Sequence, residues 1–198
     1  MDNLQQTLRP NSTKNGLVLG LILLFVNIFS FYFITRMASS LVMILIVSVI
    51  FSFIIPIVLR IIFCFGLRKE IGGYWDFRQA VTGIFIMFFA AYITQTVGND
   101  LVFAKFIEPH MAQKTEDAMM AATTAMLEKT GADQTLIDEK KASIEKQFDD
   151  QKNVTVRGVV QRIAISIIFI FVFAVIFAAL FKKDPPLIVD SPYQEPEV

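Results

Sequence analysis

The sequence predicts an all-α integral membrane protein with four transmembrane helices and a long extramembrane helical hairpin between the third and fourth. Composition is the first reason: of 198 residues, 55% are hydrophobic and 20 are phenylalanine, and the mean hydropathy is +0.58. These values exceed those of ordinary soluble domains. The second reason is four long runs without a charged side chain, and the third is a polar, helix-forming segment between the last two runs.

Each apolar run is long enough to cross roughly 30 Å of hydrocarbon at about 1.5 Å per helical residue. The runs occupy residues 15–35, 37–59, 79–99 and 163–181. Since backbone amides in lipid have no water to bond, each run must close its own hydrogen bonds as a helix. The first run exceeds the usual length of a signal-peptide core, so we interpret it as an uncleaved anchor, although "ASS" at 38–40 offers small residues for cleavage.

Basic residues near the span ends predict the orientation, because cytoplasmic loops are enriched in lysine and arginine. They flank the N-terminus, the second connection and the tail: Arg9, Lys14, Arg68, Lys69, Arg78, Lys182 and Lys183. The first connection has only Arg36. The predicted parts are a cytoplasmic lead (1–14), transmembrane helices one to three (15–103), a periplasmic hairpin (104–157), transmembrane helix four (158–182) and a flexible cytoplasmic tail (183–198). Both termini are expected to be cytoplasmic.

Residues 104–157, which we call the arm, carry the signals of two helices. A glycine-free run rich in Ala, Met, Glu and Lys begins at Pro109, a residue suited to a first helical turn. Gly131 suits the left-handed conformation that ends a helix, and Asp133 or Thr135 can cap the next one. We therefore expect an antiparallel pair of helices that projects from the membrane.

Apolar side chains recur at helical spacing in both predicted arm helices. The candidate residues are Met111, Met119 and Met126 in the first helix and Ile137, Ile144 and Phe148 in the second. The simpler interpretation is a stripe that packs the two helices together, because methionine fills irregular interfaces well. The functional interpretation is a face that receives a protein partner or another copy of the chain.

His110 is the single histidine and raises the question of a metal site. Helical ligands are expected at i+3 or i+4, where Gln113 and Lys114 stand, so a metal or catalytic role is poorly supported. Metal sensing by His110 with the arm methionines, whose thioethers are soft ligands, stays open as a hypothesis. Cys64, the single cysteine, lies in an apolar span and is interpreted as an inert thiol.

Polar and small residues in the spans indicate helix packing or, alternatively, a transport path. The candidate packing residues are Gly16, Gly20, Ala90, Thr94 and Gly98. No charged residue lies in the centre of a predicted span, whereas transport pathways usually place ionisable groups there. A small oligomeric channel or transporter, lined by Asn27, Pro56 and Gln95, is the alternative function.

The sequence contains no group of residues that would support nucleic-acid binding, catalysis or cofactor binding. Lysine plus arginine equals aspartate plus glutamate at 18 each, so a basic surface for nucleic acid is not expected. Phosphate-loop, zinc-protease and nucleophile-elbow spacings are missing from the sequence, so neither an enzyme nor a cofactor is predicted. In "GGYWDFRQA" at 72–80, Tyr74 and Trp75 are expected to anchor in the headgroup layer.

Two short motifs, together with the order of the spans, carry a family resemblance. The entry to the third span has Gly73, Tyr74, Phe77 and Ala80, and its exit has Phe106, Ile107, Glu108 and Pro109. Over about residues 12–183 the chain resembles the bacterial four-helix membrane family labelled domain of unknown function 4199, common in the Bacteroidetes. Glu108 stands where that family tends to have aspartate. The resemblance implies an inner-membrane location and supplies no catalytic or binding residue.

These observations favour a non-enzymatic accessory or scaffold protein of the inner membrane. Its expected partners are the lipid bilayer and, through the arm, a protein or a second copy of itself.

Overall fold

The computed structural model describes residues 2–37, 40–152 and 155–184 and is built from helices. Four helices are long and apolar enough to cross a membrane: Gln6–Arg36, Leu41–Glu70, Phe77–Ile107 and Arg157–Phe181. We call them the first to fourth spans. The prediction of a helical chain with four candidate membrane-crossing helices is therefore confirmed. The predicted tail beyond Asp184 and most of "ASS" lie outside the described residues.

The helices have the following bounds. They are Asp2–Arg36, Leu41–Val49 continued by a π-helical turn Ile50–Ile54 and by Ile55–Glu70, Phe77–Thr96 continued by a π-helical segment Val97–Ile107, Met111–Lys129, Gln134–Lys152 and Val156–Phe181. We call Met111–Lys129 and Gln134–Lys152 the first and second arm helices.

The span helices extend beyond the apolar runs that predict them. The second continues past Leu59 to Glu70, and the third past Asn99 to Ile107. The physical reason is that both extensions are mostly apolar beyond their first charged residue, Arg60 in the second span and Asp100 in the third, so the helices continue through them. Gly72, which follows the second span, has a φ of +104°, a conformation that favours glycine.

The segment predicted as the N-terminal lead is part of a helix. The first helix begins at Asp2, so residues 2–14 continue it. Leu8 is 1% exposed and Ser12 is fully buried. Both face Gly83 of the third span, whose missing side chain makes room for them: a Cβ there would lie 2.8 Å from Leu8 Cδ1. Packing against a small residue thus draws the lead into the bundle.

The third span is the centre of the bundle. It packs against the first span along one side and against the fourth along another, while the second span lies mainly against the first. Its buried residues include Ala80, Ile84, Met87 and Ala91, which are 0–1% exposed. The core therefore follows the length of this helix.

One connection, residues 71–76, meets the N-terminal and C-terminal segments at one end of the bundle, which we call the termini end. Asn15 of the first span donates a hydrogen bond of 2.7 Å to Glu70 at the end of the second. Trp75 and Lys183 exchange backbone hydrogen bonds of 3.0 and 3.2 Å. The arm helices lie at the opposite end, the arm end, where the first arm helix contacts the first and second spans.

Trp75 occupies a different environment from the predicted headgroup layer. It is 1% exposed, and its indole N–H donates to the carbonyl oxygen of Phe181 at 2.9 Å. The indole N–H of a tryptophan can be satisfied either by lipid headgroups or by a free carbonyl at the end of a helix. In this protein the carbonyl satisfies it. Tyr74 remains 38% exposed and lies beneath the Lys183 amine, 5.0 Å from the ring centre.

Candidate functional site

Glu108 joins the arm to the bundle. Its side chain is buried, and its carboxylate lies 2.5 Å from the Lys114 amine in the first arm helix. The hydrogen bond from Lys114 lowers the pKa of this carboxyl, and the charge of Arg36 and a hydrogen bond from Tyr32 lower it further, against an opposing effect of desolvation. A cavity of about 430 Å³ adjoins these residues and is also lined by Asp117. The glutamate of the family motif is thus an ion-pairing residue at the membrane end of the arm.

Pro109 and His110 form the turn between this carboxylate and the arm. The amide of Met111 donates to the carbonyl of Glu108 at 2.9 Å, so the first arm helix begins at Met111. Pro109 therefore precedes the helix and does not occupy its first turn. His110 is exposed at the N-cap position without a side-chain capping bond. Among the described residues, no group of three or more His, Cys, Asp or Glu side chains is placed to hold a metal.

The arm helices are joined by a turn with the predicted chemistry. Gly131 has a φ of +74°, in the left-handed region. Asp133 caps the second helix, because its Oδ1 accepts a hydrogen bond of 2.8 Å from the Leu136 amide. The helices contact each other along their length.

The predicted partner-binding residues fall on both sides of this contact. Ile137 is 3% exposed and Phe148 is 8% exposed, so the structure buries them within the arm. Three further residues of the set, Met111, Met119 and Ile144, are half-buried. Met126, which is 43% exposed, is the most accessible member of the set and lies close to the Gly131 turn. The stripe therefore packs the arm internally and leaves an accessible apolar side chain at its tip.

The predicted small residues of two different spans meet at one interface. A Cβ on Gly16 would lie 2.7 Å from the Cβ of Ala90, and a Cβ on Gly20 would lie 2.6 Å from that of Thr94. Further along, a Cβ on Gly98 would lie 2.3 Å from a methyl group of Leu24. The missing side chains let the first and third spans approach closely.

A second cavity, of about 330 Å³, lies between the second, third and fourth spans. Pro56 and Gln95 line it, as do Arg60, Tyr92 and Ser166. Most of the remaining lining is phenylalanine: Phe53, Phe88, Phe169, Phe173 and Phe177. We call it the Arg60 cavity. The structure thus brings together two of the three predicted transport residues.

Asn27 is separated from that pair. It is exposed on the first span and does not line the cavity. An exposed amide on this helix does not contribute to a path through a single chain.

Arg60 directly follows the predicted run 37–59, so the sequence pattern alone places it at the end of a span. The helix continues to Glu70, ten residues further and about 15 Å along the axis. The guanidinium carbon lies 5.6 Å from the ring centre of Phe88. Within the described part of the chain, Arg60 has no ion pair or hydrogen bond. An arginine is costly within the apolar part of a span, by roughly 2.5–3.5 kcal/mol at the centre on insertion scales, so a role for Arg60 is a reasonable hypothesis.

Two signals in the sequence could have improved these predictions. The pattern Asp76-x-x-Gln79 is a capping box, and both of its hydrogen bonds form, at 2.8 and 3.0 Å. It fixes where the third span begins. Arg60 is followed by Ile61, Ile62 and Phe63, and this renewed apolar run indicates a helix that continues.

Comparison with known protein families assigns the chain to one of them. The family model described as a protein of unknown function (DUF4199) matches residues 14–183. No match was found among curated proteins or among solved structures. With four apolar helices in the matched region, the chain is a multi-pass membrane protein that belongs to the DUF4199 family.

Proposed function

We propose that this protein is a non-enzymatic accessory or scaffold protein of the bacterial inner membrane, and that its arm engages a protein partner or a second copy. The observation that carries the proposal is the attachment of the arm. Glu108, buried at the arm end beside Arg36 of the first span, pairs with Lys114, and the first arm helix contacts the first and second spans. An arm attached at several points keeps a defined direction relative to the bundle, as a docking element requires.

The orientation with both termini in the cytoplasm is supported by charge. The termini end carries Arg68, Lys69, Arg78, Lys182 and Lys183, and its connections are tied together by Trp75. Such clusters beside span ends favour the cytoplasmic side. The arm, as a helical hairpin at the other end, then projects into the periplasm.

The contact surface that we assign to the partner is the tip of the arm, defined here as Met126 and Leu136. These side chains are 43% and 38% exposed and flank the Gly131 turn. Elsewhere in the arm, the best-buried apolar residues of the second helix, Ile137 and Phe148, hold the two helices together. A partner would therefore bind the end of the arm and leave its sides to solvent.

Photo-crosslinking in intact membranes tests this function. A photoreactive amino acid at Met126 is expected to capture a defined partner, or a second copy, whereas the same probe at exposed Lys140 is the matched control. Mass spectrometry identifies the product. Removal of residues 111–152 should abolish the association, and the proposal fails if every membrane association survives that deletion. A cysteine at Lys140 that is labelled only from the cytoplasm would reverse the orientation.

A channel or transporter is the second candidate, and the Arg60 cavity is the observation that favours it. A path through several copies would use Gln95, whereas Asn27 lies apart from the cavity. Flux of small solutes in liposomes, reduced by Gln95→Leu and unchanged by Asn27→Leu, would support transport. No flux with the full-length protein would eliminate it.

A further inference from the structure

Arg60 holds a positive charge inside the bundle, and none of the described carboxylates forms an ion pair with it. It lies about 15 Å along the helix from Glu70, and the ring that it contacts, Phe88, lies about 16 Å from Phe77 at the start of the third span. The two depths agree. The side chain therefore stays at this depth and does not extend to the interface, as a snorkelling arginine would. An unbalanced cation at such a depth favours an anion as its ligand.

The walls of the Arg60 cavity are suited to an apolar body. Five phenylalanines contribute to its lining, and the third span presents Phe88, Tyr92 and Gln95 on one face at spacings of four and three residues. The side chains of Tyr92 and Gln95 form no hydrogen bond within the described residues. Polar groups of a ligand would find donors there, further towards the arm end than Arg60.

The entrance of the cavity lies on the lipid-facing side of the bundle. Phe53 and Phe169, on its rim, are 63% and 60% exposed. Both belong to helices that are long and apolar enough to cross a membrane, and in a bilayer such exposed phenylalanines would face hydrocarbon. A ligand that enters between them must already be dissolved in the bilayer.

The second span is locally distorted beside this entrance. Its π-helical turn Ile50–Ile54 contains the lining residues Ser52 and Phe53, and Pro56 follows within one turn. A π-helical turn inside an α-helix is frequently found at a functional site. The distortion is independent of the charge argument and falls at the same place.

We infer that the Arg60 cavity binds a single-chain carboxylate of the fatty-acid class, with the carboxylate on the Arg60 guanidinium and the hydrocarbon chain along the phenylalanines. A guanidinium donates two parallel hydrogen bonds to a carboxylate, a pairing that gives both strength and orientation. A phospholipid headgroup fits less well, because its phosphate would have to move roughly 10 Å inward from the level of Leu67, the last apolar residue before the charged end of this helix. This site is independent of the arm and of its proposed partner.

The test uses the full-length protein in phosphatidylcholine liposomes and a long-chain fatty acid that carries a diazirine near its methyl end. After illumination, digestion and mass spectrometry, the label is expected on peptides of the second, third and fourth spans that line the cavity. Excess oleate should displace the probe, and excess oleyl alcohol, which has the same chain without the charge, should not.

Two variants test separately whether binding requires the charge of Arg60 and whether it requires the open volume of the cavity. Arg60→Gln should reduce labelling by about tenfold or more, the loss expected for one charge-assisted hydrogen-bonded pair. Ser166→Phe, which fills the cavity and leaves Arg60 in place, should reduce labelling as strongly. Arg162→Gln is the matched control, because Arg162 is exposed near the start of the fourth span and does not line the cavity. Its labelling should equal that of the wild type.

Three outcomes would overturn the inference: equal labelling of Arg60→Gln and wild type, displacement by oleyl alcohol as effective as by oleate, or displacement by phosphatidylglycerol better than by oleate. The last result would assign the site to a lipid headgroup. Size-exclusion profiles and thermal transitions check folding. If Arg60→Gln does not fold, Ser166→Phe and the competition series decide the question.

Discussion

The indole N–H of Trp75 and the carbonyl oxygen of Phe181 are joined by a hydrogen bond of 2.9 Å. Phe181 is the last residue of the fourth span, where helix carbonyls lack an intrahelical donor. Arg68 donates to the same oxygen at 3.3 Å. A loop residue thus completes the end of a helix more than one hundred positions later in the chain.

Trp75→Phe should lower the stability of the protein by roughly 1–3 kcal/mol. The substitution removes a buried hydrogen bond and leaves unfilled space, while Arg68 still bonds the acceptor. Thermal unfolding in detergent measures the change. Tyr74→Phe is the control, because the phenylalanine ring can still form the cation–π contact with the Lys183 amine. This substitution should have little effect on the transition. An unchanged transition in Trp75→Phe would contradict the assigned role of the hydrogen bond.

Gly20→Ala should destabilise the bundle by roughly 1–3 kcal/mol, the usual cost of overpacking. The added Cβ would lie 2.6 Å from the Cβ of Thr94 and 2.8 Å from the carbonyl oxygen of Ala91. Gly66→Ala is a matched helical control, since nothing lies within 4 Å of its added Cβ. It should be neutral or up to about 1 kcal/mol stabilising. Equal transitions for the two variants would show that the first and third spans do not pack as described.

The attachment of the arm should weaken at acid pH. The pKa of Glu108 is lowered in the folded protein. The stabilisation that its ionised carboxylate gives to the arm attachment is therefore fully present above the ordinary glutamate pKa of about 4.3. The contribution is lost as pH falls through the lowered folded value. Hydrogen exchange of residues 108–115 should therefore accelerate below that range, after correction for intrinsic rates. Glu108→Gln should show faster exchange near neutral pH and a much smaller dependence on acid. A wild-type profile in this variant would contradict the prediction.

Cys64 should resist modification in the folded protein. It is fully buried in the core, and reagents reach a thiol only through solvent or lipid contact. A membrane-permeant maleimide is expected to label it after denaturation and not before, as read by intact-mass analysis. A cysteine placed at exposed Ile62 in a Cys64→Ala background is the positive control. Rapid labelling of folded wild type would place Cys64 outside the core.

The four spans were predictable because lipid imposes a strong rule on the local sequence. A long uncharged run must form a helix, and the rule needs no knowledge of neighbouring helices. The signals at Gly131 and Asp133 were equally local, since a left-handed turn and a cap depend on adjacent backbone. Both could be inferred from a few consecutive residues.

The remaining features depend on partners that are distant in sequence. The Gly16 and Thr94 segments each carried a weak signal, and their significance emerged when the structure placed them face to face. The sequence around Trp75 is compatible both with a position in the headgroup layer and with a buried hydrogen bond to a carbonyl. The carbonyl of Phe181, which is distant in sequence, provides that bond. In the sequence, Arg60 marks the end of an apolar run. Its contact with Phe88 of the third span shows that it lies inside the bundle. Hydropathy along one helix contains none of this information.

The bonds of Trp75 also impose an order on biosynthesis. The first and third spans share the most extensive interface, so the first must wait in the bilayer until the third has left the ribosome. Trp75 waits longer, because its acceptors are Phe181 and Lys183. A nascent chain that ends before Phe181 can form the Asn15–Glu70 bond at this end, but it lacks both acceptors of Trp75. The termini end is therefore completed only after the fourth span has been made, and every earlier intermediate lacks the bonds of Trp75.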